Sequence, residues 1–238
     1  MNKYFLKITF FSIFALATGL FPVNKAVLCK ESANVKTLDE ILLEIEKADG
    51  EFKTMKADIV ITRTIPLLDS TEVSQGKLQY KKPDRLLLKF DPPRDEVNII
   101  DGKHIWVYHP KEKQVEKYSV TREKQTAQDI NFFGFGYGES VASARKDYTI
   151  SLMDTTQIKG KRFYVLDLLP KDTSSQYKEI RLWIEEGLWL PVKIELHESG
   201  GEVINLIEFD HIKLNSRISD KLFVFDVPRG VEVIEPFQ

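Results

Sequence analysis

Apolar residues change their spacing along the chain at about residue 56. Before that point they recur every three or four positions between Leu38 and Phe52, which is the period of one face of an α-helix. Thr37 is followed three residues later by Glu40, the form of a capping box, so the helix is predicted to begin near Leu38. Beyond residue 56 apolar and polar residues alternate, as they do in half-buried strands.

Turn signals separate the alternating segments and predict an antiparallel meander of short strands. Examples are Asp101-Gly102 and residues 199–201. The meander is interrupted at about residues 121–146, where residues 125–130 and 140–146 are predicted to form short helices. The whole pattern predicts about ten or eleven strands and three helical segments, with no linker between domains. An antiparallel sheet of that size must curl, and three helices can cover only one of its faces.

The first thirty residues have the composition of an export signal. Residues 2–7 include two lysines and residues 8–21 carry no charge, as in the basic and apolar regions of a signal peptide. The uncharged run is too short for a transmembrane helix. We therefore expect residues 1–29 to be a signal peptide and residues 30–238 to be a single exported domain. Cys29, the only cysteine, leaves open an alternative in which it carries a lipid anchor.

Composition and residue spacing argue against several classes of function. The chain has 34 Lys and Arg residues against 36 Asp and Glu, without long runs of one sign, so no nucleic-acid partner is expected. Its four histidines have no neighbours at metal-ligand spacing, and the Gly-x-Ser-x-Gly nucleophile motif is missing from the sequence. We therefore expect neither an enzyme nor a site for a metal or cofactor.

Large apolar residues occupy both faces of some predicted strands. Residues 105–108 read Ile-Trp-Val-Tyr and residues 181–184 read Arg-Leu-Trp-Ile, while further aromatic residues crowd the interrupted segment at 132–137. This surplus indicates an interior wide enough for a hydrophobic guest. The alternative is a sheet whose outer face packs against its own hairpins, with the segment at 132–137 folded permanently onto it.

Five segments carry a more specific pattern: residues 76–86 (GKLQYKKPDRL), Pro92-Pro93, residues 99–110 (IIDGKHIWVYHP), Gln114-Val115 and residues 223–231 (FVFDVPRGV). In order and spacing they resemble the outer-membrane lipoprotein carrier protein family. The resemblance implies an α+β, mainly β fold. In that fold a half-open antiparallel β-barrel of about eleven strands has a three-helix lid over a hydrophobic cavity.

The resemblance also implies a function and partners. The expected function is to carry the acyl chains of lipoproteins through the periplasm. The route runs from an inner-membrane lipoprotein-releasing ABC transporter to an outer-membrane lipoprotein receptor, and we expect the carrier to act as a monomer. An alternative keeps the fold and makes the protein a periplasmic regulatory module that senses lipid or lipoprotein and signals to a partner protein.

Candidate cavity and lid residues follow from the apolar pattern and the resemblance. They are Leu42, Ile45, Leu86, Leu88, Phe90, Trp106, Tyr108, Phe132, Phe133, Phe135, Tyr137 and Trp183. The pattern leaves open which face of each strand points inward. Lys82 stands where the family usually has an arginine before the proline, so it is the candidate lid latch. Lysine lacks the planar fork of arginine, which disfavours a latch of several hydrogen bonds and predicts a looser closed lid. A solvated lysine at the end of a strand is the alternative.

Overall fold

Twelve strands form one sheet in the computed structural model of the protein, which describes residues 36–120, 135–200 and 203–236. The described residues also contain the helices α1 (Leu38–Glu51) and α2 (Val141–Asp147) and 3₁₀ turns at Pro66–Leu68 and Asp220–Phe223. The strands are β1 (Thr54–Ile65), β2 (Ser70–Lys81), β3 (Arg85–Phe90), β4 (Val97–Asp101), β5 (His104–His109), β6 (Gln114–Ser119), β7 (Tyr148–Ile158), β8 (Lys161–Pro170), β9 (Tyr177–Glu185), β10 (Pro191–Glu198), β11 (Ile204–Leu214) and β12 (Glu232–Ile234).

The strands follow the order β12-β6-β5-β4-β3-β2-β1-β11-β10-β9-β8-β7, so β12 and β7 are the two edges of an open sheet. Neighbouring strands are antiparallel except for β12 and β6, which are parallel. The mainly β fold and the large antiparallel sheet are confirmed, with twelve strands where about eleven were expected. Pairing of β1 with β11 joins the first half of the sheet to the second.

Two of the three predicted helical segments are confirmed as α1 and α2. The third, at residues 125–130, and the predicted signal peptide at 1–29 lie outside the described residues. A lid of three helices and the domain boundary at residue 30 therefore stay predictions.

Helix α1 begins where the capping box places it. The Thr37 backbone N–H donates to Glu40 Oε2 at 2.7 Å, and the Glu40 N–H donates to Thr37 Oγ1 at 3.4 Å. The apolar stripe then buries Ile41, Leu42 and Ile45 almost completely. Because the stripe has the helical period, the whole apolar side of α1 can lie on the sheet.

Strand register divides the sheet into two faces. Directly opposed residues on β1, β11, β10, β9 and β8 are Ile61, Ile207, Ile194, Leu182 and Leu166. On β2 and β3, Leu78 and Leu88 are likewise opposed. All of these side chains belong to one buried cluster that includes the apolar stripe of α1. We call this side of the sheet the core face and the other side the outer face.

Gly76 allows β2 and β3 to pack closely beneath a large aromatic residue. It lies opposite Phe90 in the register, and a Cβ atom at Gly76 would lie 2.4 Å from the Lys89 carbonyl oxygen. Such a contact is impossible without moving the backbone of β3. The missing side chain thus leaves room on the core face for Phe90, which is fully buried.

Candidate functional site

The core face gathers most of the predicted cavity residues beside α1. Those in its buried cluster are Leu42, Ile45, Leu86, Leu88, Phe90, Phe135 and Tyr137. Each is at most 6% exposed, so α1 and the short segment from Phe135 cover the apolar surface of the strands. Phe132 and Phe133 lie outside the described residues. That any of these residues contacts a guest stays a prediction.

Aromatic rings fill the space between the C-terminal end of α1 and the sheet. The Phe52 ring centre lies 6.2 Å from those of Tyr80 and Tyr137, and the Tyr137 ring lies 5.9 Å from Phe209. The Tyr80 hydroxyl is 3.1 Å from the Tyr137 carbonyl oxygen, and burial, together with the charge of Asp49, raises the pKa of Tyr80 to about 12. Burial also raises the pKa of Tyr137. Both phenols therefore stay neutral and act as hydrogen-bond donors at physiological pH.

The segment that contains Tyr137 lies tightly against the start of β10. The Tyr137 hydroxyl donates to the Pro191 carbonyl oxygen. Gly136 has a φ of 84°, and a Cβ atom there would lie 2.7 Å from Pro191 Cδ, so a larger residue would be both strained and obstructed. This close approach holds Phe135 and Tyr137 on the core face.

Lys82 contacts the C-terminal end of α1. Its Nζ donates to the carbonyl oxygen of Asp49 at 2.5 Å and to Asp49 Oδ1 at 2.7 Å, and it lies 4.1 Å from the centre of the Phe52 ring. The last carbonyl groups of a helix lack partners within the helix and carry partial negative charge. The last turn of α1 contains no basic residue, so Lys82 supplies the cation from the turn after β2.

These contacts differ from the expectation for a lysine at this position. One ammonium group reaches two acceptors on α1, although it lacks the fork geometry of arginine. The alternative of a solvated lysine at the end of a strand also disagrees with a side chain that is only 20% exposed. Sequence reasoning missed Asp49 as the partner, and the missing basic residue in the last turn of α1 was the available signal. That Lys82 acts as a latch stays a prediction.

Three predicted cavity residues, Trp106, Tyr108 and Trp183, lie on the outer face. Trp106 and Tyr108 each place a ring centre 5.4 Å from that of Phe225, in the segment that follows the second 3₁₀ turn. The Lys193 ammonium lies 4.6 Å from the Trp183 ring centre. Neighbours of these aromatic residues along the strands either belong to the core cluster or pack against it, as Ile105, Val107, Leu182 and Ile184 do. Successive strand residues point to opposite sides, so the structure corrects the placement of all three.

A cavity of about 590 Å³ lies where the apolar row of the core face ends. Its lining residues are Ile61, Arg63, Glu72, Val73, Ser74, Pro93, Arg94 and Asn205. Both arginines of the lining are paired: Arg63 Nη1 lies 3.9 Å from a Glu198 oxygen, and Arg94 donates to Glu96 at 2.8 Å. The cavity therefore joins an apolar floor at Ile61 to a polar rim. In the sequence the one sign of this cavity is Arg63, a charged residue at a position where the alternation along β1 predicts a side chain on the core face.

The described residues contain no group of three His, Cys, Asp or Glu side chains arranged to hold a metal ion. Neither of the helices that the structure describes has the length and apolarity to cross a bilayer.

Comparisons with known proteins agree with this architecture. The sequence profile of the family described as outer membrane lipoprotein carrier protein LolA matches residues 50–226. An outer-membrane lipoprotein carrier protein from Halorhodospira halophila is 25% identical over 205 residues, which cover 86% of this chain and 87% of that protein. An uncharacterized protein from Methanocaldococcus jannaschii is 26% identical over 234 residues, and the match spans 98% of this chain but 61% of that protein.

A solved structure has the same fold at low sequence identity. An uncharacterized conserved protein from Thermus thermophilus superposes with a TM-score of 0.54 at 13% identity, covering 84% of this chain and 99% of that one. Because the family profile covers well over half of the sequence, the chain belongs to the outer membrane lipoprotein carrier protein LolA family.

Proposed function

We propose that this protein is a periplasmic carrier that binds the acyl chains of lipoproteins on the core face, beneath α1. In this proposal it receives them from an inner-membrane lipoprotein-releasing ABC transporter and delivers them to an outer-membrane lipoprotein receptor. Membership of the carrier family supports the proposal. The observation that carries it is the wide apolar core face, which is covered by a helix rather than by a second sheet.

The energetics of acyl chains suit such a surface. Removing a methylene group from water is worth about 0.8 kcal/mol, so a chain of about fifteen methylenes represents roughly 12 kcal/mol. A carrier must replace most of that with its own apolar surface. The core face under α1 is closed by its own side chains, with Phe52 and Leu42 each 2% exposed. A guest must therefore displace α1 or enter through the adjoining cavity of about 590 Å³.

Displacement of α1 by an acyl chain need not cost much free energy. The helix holds the sheet through the apolar side chains of Ile41, Leu42 and Ile45 and through the polar contacts of Lys82 with Asp49. An acyl chain would bury a similar apolar surface on the same face, which offsets the loss of the helix contacts. Closed and open forms of similar free energy are what a carrier needs in order to both bind and release its cargo.

A binding experiment tests the proposal. The full mature protein is titrated with a triacylated lipopeptide and, as a control, with the same peptide without acyl groups. We expect saturable binding of the acylated peptide only, with one lipopeptide per protein. Equal binding of both peptides, or binding of neither, would remove the carrier function.

Intact-mass spectrometry of protein purified from its own cell envelope separates the carrier from a regulatory module. A retained lipoprotein, at the mass of a one-to-one complex, supports the carrier. Stoichiometric recovery of a membrane-bound regulatory protein, without lipoprotein, supports the sensing module. The same spectrum reports the mature N-terminus and therefore tests the predicted signal peptide and the alternative of a lipid on Cys29.

A further inference from the structure

The hairpin between β1 and β2 ends in two neighbouring leucines that lie in solvent. Leu67 is 72% exposed and Leu68 is 71% exposed, more than the other large apolar side chains described as exposed. Val73, further along the hairpin, is 52% exposed. Single exposed leucines are common on protein surfaces. Two adjacent exposed leucines at the end of a long hairpin form a small apolar patch. We call Leu67 and Leu68 the leucine tip.

The hairpin presents the leucine tip on a firm support. Its two strands are paired without interruption from Thr54 opposite Lys81 to Ile65 opposite Ser70. The turn is a 3₁₀ turn that begins at Pro66 and closes at Asp69, whose backbone N–H donates to the Pro66 carbonyl oxygen at 3.2 Å. Because the turn and both strands are hydrogen-bonded, the leucines stay outside without collapsing onto the sheet.

The same hairpin carries the rim of the core-face cavity. Ile61 and Arg63 on β1 and Glu72 and Ser74 on β2 line that cavity of about 590 Å³. Glu72 is four residues from Leu68, or about 13 Å along the strand. An apolar element that enters the boundary of a bilayer lies about 5–10 Å deep. A tip at that depth would hold the cavity rim close to the lipid headgroups.

The charges near the leucine tip favour contact with a bilayer of neutral lipids over contact with an acidic one. Between residues 62 and 73 the charged side chains are Arg63, Asp69 and Glu72, a net charge of −1. Attraction to anionic lipid needs a cluster of lysine or arginine residues, which this segment lacks. Contact through the leucine tip would therefore be hydrophobic and insensitive to salt.

We propose that the leucine tip docks the protein onto the surface of a lipid bilayer, by inserting Leu67 and Leu68 at the boundary between headgroups and acyl chains. This inference rests on the proposed function in one respect, since a carrier of acyl chains has reason to approach a bilayer with its cavity rim first. The occupant is a membrane surface. Wild-type protein that does not bind vesicles would reject the membrane and leave a pocket on a partner protein as the occupant.

The test is flotation of the mature protein with phosphatidylcholine vesicles. Because burial of a leucine is worth about tenfold or more in affinity, we expect Leu67→Gln and Leu68→Gln each to weaken vesicle binding by about tenfold. The control is Leu43→Gln, since Leu43 is 67% exposed on the solvent side of α1 and should leave binding unchanged. Replacement of both tip leucines by phenylalanine should preserve binding. Raising the salt from about 0.1 M to about 1 M should leave it unaffected.

Several results would overturn the inference. They are a wild-type protein that does not bind the vesicles, tip variants that bind as well as wild type, or an equal loss in Leu43→Gln. Binding that disappears at high salt would also reject a hydrophobic contact. The soluble lipopeptide titration separates this inference from the proposed function. The tip variants should bind the lipopeptide as the wild type does. If the wild-type protein binds no lipopeptide, but its vesicle binding is lost when the tip leucines are replaced, the docking site is kept and the carrier role is rejected.

Discussion

Replacement of Lys82 by methionine tests whether the contact between the sheet and α1 controls access to the core face. The change keeps the apolar part of the side chain and removes both hydrogen bonds to Asp49 and the charge over the Phe52 ring. Hydrogen bonds to charged groups contribute about 1.5–3 kcal/mol, and a partly exposed cation over a ring about 0.5–1 kcal/mol. Ordering the long side chain costs up to about 2 kcal/mol.

Together these terms favour the closed form by about 2 kcal/mol. Solvent screens the contact only weakly, because the Lys82 and Asp49 side chains are 20% and 19% exposed. Loss of about 2 kcal/mol from the closed form raises the equilibrium constant for opening by about 30-fold. We expect hydrogen exchange of the α1 amides to speed up by that factor. Stopped-flow uptake of a fluorescent acyl probe should also become faster.

Lys77→Met is the matched control. Lys77 lies on β2, the strand that precedes Lys82, and its ion pair with Asp58 at 2.9 Å is on an exposed surface, with the lysine side chain 73% exposed. We expect this variant to leave exchange and uptake unchanged. Lys82→Arg, which restores a forked donor set, should slow uptake relative to wild type.

One pattern of results would refute the reasoning. If Lys82→Met lowered the free energy of unfolding but exchanged its α1 amides at the wild-type rate, Lys82 would stabilise the fold without holding the helix. Unchanged uptake kinetics in both Lys82 variants would remove this residue from the proposed mechanism.

The remaining predictions concern packing, ionisation and the two faces of the sheet. Gly76→Ala should lower the free energy of unfolding in urea by about 1–3 kcal/mol, because its Cβ would meet the Lys89 carbonyl oxygen. Gly50→Ala, with open space at its Cβ in α1, should raise that free energy by about 0.5–1 kcal/mol; equal effects would refute the packing argument. The raised pKa of Tyr80 means that its neutral form stabilises the fold below pH 10, and that this stabilisation is lost as the pH rises from 10 towards 12. The stability difference between wild type and Tyr80→Phe should therefore shrink over that range in urea unfolding, and a constant difference would contradict the assignment. Trp183→Phe, on the outer face, should leave the affinity for the lipopeptide unchanged in the titration described above. A large loss of affinity would show that the guest binds on the outer face, contrary to our proposal.

Helix α1 was predictable because its signals are local. The capping box at Thr37 and the apolar period that follows involve residues within one or a few turns of each other, and the structure has the helix at Leu38–Glu51. The large antiparallel sheet was predictable for a similar reason, since alternation and turn residues are read within single strands and hairpins.

The face that each strand buries was not predictable where both faces are apolar. Ile105, Trp106, Val107 and Tyr108 show no alternation of apolar and polar residues, so size suggested that the aromatic residues point inward. In the structure Ile105 belongs to the buried cluster that also contains the apolar stripe of α1, while Phe225 packs on the side with Trp106. Both α1 and Phe225 are distant in sequence from β5.

The sequence by itself determined the elements of this protein and the family to which they belong, because spacing, caps and turns act over a few residues. Tertiary structure alone decided which face is covered by α1, which carboxylate Lys82 meets 33 residues away, and where the cavity opens between Arg63 and its strand partner Asn205. The physical reason is that the period of a strand determines which residues share a face. Whether that face is buried depends on distant segments that must first fold onto it.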